Sequence, residues 1–153
     1  MKKIKMIAIV CCLSSVGYAG DTNFVHAFNA IWQTHNASNI LVFVEQNVVT
    51  NASPEVLFAR GTVAIALQAW IPGASNFWEQ AIQMISTNSV YSEIGKTNAI
   101  KQLQGLQDFF SEVSNDPPTW NTNNHAVAFA RVGDKVPYLH VLQDISTIET
   151  VEK

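Results

Sequence analysis

Apolar side chains recur every three or four residues through "TNFVHAFNAIWQT", at Phe24, Phe28, Ile31 and Trp32. That spacing predicts a helix over 22–34, with Thr22 or Asn23 as its N-cap. The next segment, "ASNILVFVEQNVVTNAS", is ambiguous. Its run Ile40-Leu41-Val42-Phe43-Val44 is rich in strand formers. A later stretch, "ASNFWEQAIQMISTNSV", nearly repeats it 37 positions on, matching Ala37 with Ala74, Gln46 with Gln83 and Thr50 with Thr87. The later copy reads as an amphipathic helix starting at Ser75 or Asn76. Self-similarity at such a period points to a repeated helix-turn-helix unit, so the earlier copy is also read as helix.

Between the copies, "TNASPE" marks a boundary: Ser53 suits an N-cap, Pro54 a first helical position and Glu55 the positive end of the dipole. From Glu55 to Trp70 the polar side chains are Glu55, Arg60, Thr62 and Gln68 alone, the pattern of a buried helix. "IPG" at 71–73 is expected to stop it. A further helix is predicted from Ser92 to Val113, with Ile100, Leu103, Leu106, Phe110 and Val113 as its stripe. "SNDPPTWNTNN" at 114–124 reads as a loop. Beyond it, "HAVAFARV" and "KVPYLHVL" meet at Gly133-Asp134 and read as a β-hairpin, with a helix through Ala126–Val132 as the competitor. "ISTIETVEK" is either a third strand or a frayed tail. The fold class expected is mainly α, a helix-turn-helix repeat or helical bundle with a short C-terminal hairpin or irregular segment.

The N-terminus changes the composition. Lys2, Lys3 and Lys5 precede an apolar stretch from Met6 to Val16, and Gly17-Tyr18-Ala19 places small residues three and one positions before a cut after Ala19. This is the layout of a secretory signal peptide over residues 1–19, leaving one domain over 20–153 and a periplasmic or secreted location. Cys11 and Cys12 leave with it, so neither disulfides nor thiolate chemistry is expected in the mature chain. Three of the nine basic residues leave too, against twelve acidic ones that stay. That balance argues against nucleic acid or an anionic membrane surface as the main partner. No later stretch is long enough to span a membrane.

Residues Ala74, Trp78 and Ala81 form a small-x3-aromatic-x2-small pattern, Gly61 precedes them on the neighbouring predicted helix, and Ala37, Leu41 and Val44 match loosely in the earlier copy. In these residues the stretch 21–90 resembles tetratricopeptide-type repeats. The resemblance implies paired helices and non-catalytic binding of a peptide or protein segment.

Candidate chemistry is sparse. His26, His35 and His125 show no partner at the spacing of a helical metal site, and His140 falls in a segment read as a strand, so no metal and no cofactor is expected. Nucleophile-elbow, P-loop, dinucleotide-binding and H-E-x-x-H patterns are absent from the sequence. Arg60, alone in a helix written for burial, is either an anion clamp or an internal ion pair with Glu45, Glu55 or Glu79. Trp78, Tyr91 and Trp120 offer amphipathic contact area, Trp120 from a loop. The expected function is an exported, non-enzymatic protein- or peptide-binding module contacting its partner through Arg60, Trp78, Tyr91 and Trp120. The alternative is a small secreted enzyme or small-molecule binder using Arg131, Asp134 and His140, with Asp144 nearby. Self-association is a third reading, marked by an uncovered apolar helix face.

Overall fold

The computed structural model describes residues 20–68, 70–113 and 138–151. Among them run six helices and no strand: α1 (Thr22–Gln33), α2 (Ala37–Thr50), α3 (Pro54–Gln68), α4 (Ile71–Thr87), α5 (Glu93–Val113) and α6 (Tyr138–Ser146). The expected leader, residues 1–19, lies outside the described residues, as do the Pro-Pro loop and the first arm of the expected hairpin.

The centre is α3. It is buried from Pro54 to Leu67 and touches α1, α2, α4 and α6. A helix apolar on every side has no solvent face to lose, so its neighbours must surround it. Its start follows the expected chemistry: Ser53 Oγ accepts from the Val56 N–H at 3.2 Å, with Pro54 as first residue.

α1 buries Phe24, Val25, Phe28 and Trp32. Its cap is Asp21 rather than Thr22 or Asn23; Asp21 Oδ1 accepts from the Phe24 N–H at 3.0 Å. α2 settles the ambiguous run as helix. Ile40 and Val44, one turn apart, face the core, while Val42 and Val49 point to solvent. A strand would have put Val42 on the same face as Ile40 and Val44. Its Asn36 cap accepts from the Asn39 N–H at 3.1 Å.

The two copies share their ends but not their beginnings. In each, the matched threonine is the last helical residue and donates its hydroxyl to the matched glutamine carbonyl at 2.8 Å, Thr50 to Gln46 and Thr87 to Gln83. α4, however, starts at Ile71, earlier than Ser75 or Asn76. The "IPG" segment forms its first turn instead of only ending α3, because proline lacks an N–H that this turn would leave unpaired anyway.

α4 packs on α3 through Trp78, which is 1 % exposed. Its ring lies against Phe58 and Phe110 at centroid distances of 6.2 and 5.7 Å, and its Nε1–H donates to the Phe58 carbonyl at 3.1 Å. Gly61 faces the indole so closely that a Cβ there would collide with it. α5 is capped by Ser92, whose Oγ accepts from the Gly95 N–H at 3.1 Å. It buries Ala99, Leu103, Leu106 and Phe110.

The C-terminal hairpin is not seen. Tyr138–Ser146, which includes most of its expected second arm, is helical, and Val141, Leu142 and Ile145 of this helix are buried. Spacings of one, three and four residues fit a helical face and not an alternating strand. The strand-like residues reflect packing against α3, not backbone preference. Extended pairing occurs beyond α6, where Tyr91 and Thr150 form an isolated antiparallel bridge. There Ser92 N–H donates to Glu149 O at 2.7 Å and Val151 N–H to Val90 O at 2.6 Å.

Candidate functional site

The bridge ties the start of α5 to the residues following α6, and between them lies an open cleft of roughly 800 Å³. Ser92, Ile94, Asn98, Gln102, Asp144 and Thr147 are among its walls. Gln102 Nε2–H donates to Asp144 Oδ2 at 3.0 Å, pinning α5 to α6. The same oxygen lies 3.4 Å from His140 Nε2, one turn earlier on α6 and largely exposed. This i, i+4 pair was hidden while the segment was read as a strand. Ile94 is 77 % exposed at the cleft. It stands off the Ala99–Leu103–Leu106–Phe110 stripe, so its exposure was legible from the helical period. Val90 and Val151, on the two sides of the bridge, are also exposed. Amide, hydroxyl and charged side chains beside exposed aliphatic ones suit a ligand with hydrogen-bonding groups and apolar side chains.

The residues singled out in the sequence are not gathered here. Arg60 is 4 % exposed, and its Nε lies 2.6 Å from Glu45 Oε1 in an ion pair. Its Nη1–H donates to Gln68 Oε1 at 2.9 Å, and the guanidinium lies over the Phe77 ring at 4.8 Å. Of the expected partners it takes Glu45, which is half-exposed, and the arrangement is an internal ion pair rather than an open clamp. Trp78 is core. Tyr91 is buried too, and burial together with the nearby Glu55 carboxylate pushes its phenol up to about 12. None of these three presents a surface to a partner in this conformation. Trp120, Arg131 and Asp134 lie outside the described residues; His140 is the one member of the alternative set that lies within them.

Glu55 was read as a favourable charge at a helix start and as one possible partner for Arg60. It is 1 % exposed, its Oε1 is buried without a hydrogen-bond partner, and burial raises its carboxyl above 4.5. Among the described residues no group of three His, Cys, Asp or Glu side chains is placed to hold a metal ion. None of the described helices is long and apolar enough to cross a membrane. No protein-family model, no curated protein and no solved structure matches the chain.

Proposed function

We propose that this is an exported, non-enzymatic binding module for a peptide or protein segment, acting in the periplasm or outside the cell. The cleft between α5 and α6 is its contact surface. The observation that carries this reading is the cleft itself: about 800 Å³, with mixed polar and apolar walls that include the exposed Ile94. An extended segment would place its backbone against Asn98 and Gln102 and an apolar side chain on Ile94. The tetratricopeptide-type resemblance of residues 21–90 supports the same class of function. The contact residues shift, however, from Arg60, Trp78 and Tyr91 to Ile94, Asn98 and Gln102.

The test is selection from a phage-displayed random peptide library against the processed protein, followed by titration of the recovered peptides. Peptides that lose about tenfold or more in affinity with Ile94→Asp or Gln102→Ala, while the fold is kept, support the reading; this is about 1.4 kcal/mol. No enrichment, or peptides indifferent to both substitutions, would contradict it. Trp120→Ala in the same assay decides whether that tryptophan contributes. A second reading, a small-molecule binder, is favoured by the His140–Asp144–Gln102 constellation at the same cleft. It requires that His140→Ala abolish small-molecule binding without changing thermal stability.

A further inference from the structure

Glu55 poses a problem that the cleft does not address. A carboxyl buried with one oxygen unpartnered is costly to ionise: it either keeps its proton or needs a cation to reach it. Its surroundings are its own backbone N–H, the Ser53 hydroxyl and the Asp21 backbone N–H, with the Asp21 carboxylate adding negative charge and Tyr91 nearby on the bridge. Among the described residues no Lys, Arg or His pairs with Glu55 or Asp21. Asp21 in turn accepts from Asn51 Nδ2–H at 3.2 Å and from the Phe24 N–H. Among the described residues the region is acidic, with no basic side chain paired to either carboxyl.

Gly20 precedes the residue whose N–H faces that carboxyl. Successive Cα atoms are about 3.8 Å apart, so the Gly20 nitrogen lies within one residue step of the Asp21 nitrogen. Gly20 is also pressed against the backbone of Ser146, where any Cβ would clash with the Ser146 carbonyl. Ser146 is the last residue of α6, and the carbonyl end of a helix favours a cation. Gly20 thus adjoins the residue whose N–H faces the Glu55 carboxyl, and it lies against the C-terminal end of α6.

We propose that leader removal supplies the missing cation: the α-ammonium group of Gly20, created by cleavage after Ala19, pairs with the unpartnered oxygen of Glu55 and locks α1, α3 and α6 together. Hydrolysis of the Ala19–Gly20 amide consumes one water and leaves a carboxylate on Ala19 and an ammonium on Gly20. Before the cut, that nitrogen is a neutral amide and offers Glu55 no charge. Export processing is then a folding step as well as a release step. The proposal rests on the export reading for the position of the cut, and is independent of what the cleft binds.

The full chain is expressed in an exporting bacterial host, and intact mass gives the N-terminus of the processed protein. The Gly20 amine is then acylated with limiting acetic anhydride across a pH series, folded and in urea. The expected result is labelling about tenfold or more slower in the folded protein, corresponding to an amine held about one unit above its ordinary value of roughly 8. Glu55→Gln, nearly isosteric and uncharged, is expected to abolish most of that protection and its pH dependence. If Glu55→Gln does not fold, the folded-against-urea comparison on the unsubstituted protein still decides. A Gly20 start whose amine labels equally fast folded and unfolded overturns this proposal alone, as does protection that Glu55→Gln leaves intact. A processed protein beginning at another residue overturns both the proposal and the cut site on which it rests.

Discussion

Arg60 and Glu45 form one ion pair whose two ends sit in different solvents. The guanidinium is buried, while the carboxylate is half in water. Removing either partner therefore has unequal effects. Glu45→Gln leaves a buried charge with Gln68 and the Phe77 ring, and is expected to cost about 2–4 kcal/mol. Arg60→Met leaves a carboxylate that water already solvates, and is expected to cost less, about 1 kcal/mol. Urea unfolding of the two variants checks the order, which a surface ion pair would not produce. Glu55 gives a pH signature in the chain that retains residues 1–19. Its folded carboxyl is raised above 4.5 by burial, so the native state holds a proton that the unfolded state releases. The stability it contributes is complete below that value and is lost as pH rises through the raised one. Unfolding midpoints of the uncut chain should fall across that window, flatten with Glu55→Gln, and fall less once the Gly20 ammonium is present.

At the level of elements, the α3–α4 contact is the most tightly specified. Gly61 admits the Trp78 indole, and the indole fills the space between Phe58 and Phe110. Trp78→Ala is expected to cost about 3–5 kcal/mol through the cavity it leaves. Gly61→Ala should cost about 1–3 kcal/mol despite alanine's better helix propensity, because the new methyl displaces the ring. Denaturant melts of both check this. Elements of this kind were legible in the sequence: α3 from its nearly unbroken apolar composition, the α1 and α5 stripes from their period. The Ile40–Val44 run was legible only through its likeness to the later copy, since side-chain type alone favoured a strand. For Val136–Leu142 no such second copy existed. Propensity and the Gly133-Asp134 pair suggested a hairpin, whereas the spacing of Val141, Leu142 and Ile145 already carried the helix. Missing that period also hid the pairing of His140 with Asp144. Arg60, Trp78 and Tyr91 were picked for their chemistry. Burial is a tertiary property, and for tryptophan and tyrosine the same residue types serve core and surface alike.

At the scale of the whole molecule, a buried central helix carries the stability and the cleft at the α5–α6 end carries the exposed chemistry. The two should separate in experiment. Ile94→Asp touches a largely exposed position away from the core stripe, so the unfolding free energy should stay within about 0.5 kcal/mol of the unsubstituted protein. Peptide binding should drop in the same variant. The measurement that bears most directly on the cleft is hydrogen–deuterium exchange of the processed protein with and without a peptide recovered from the phage library. Exchange slowed over residues 92–102 and 144–151, and unchanged over α2 and α4, is the result expected if the peptide lies between α5 and α6. Protection confined to α2 or α4, with 92–102 exchanging as in the free protein, would contradict the cleft as the binding surface.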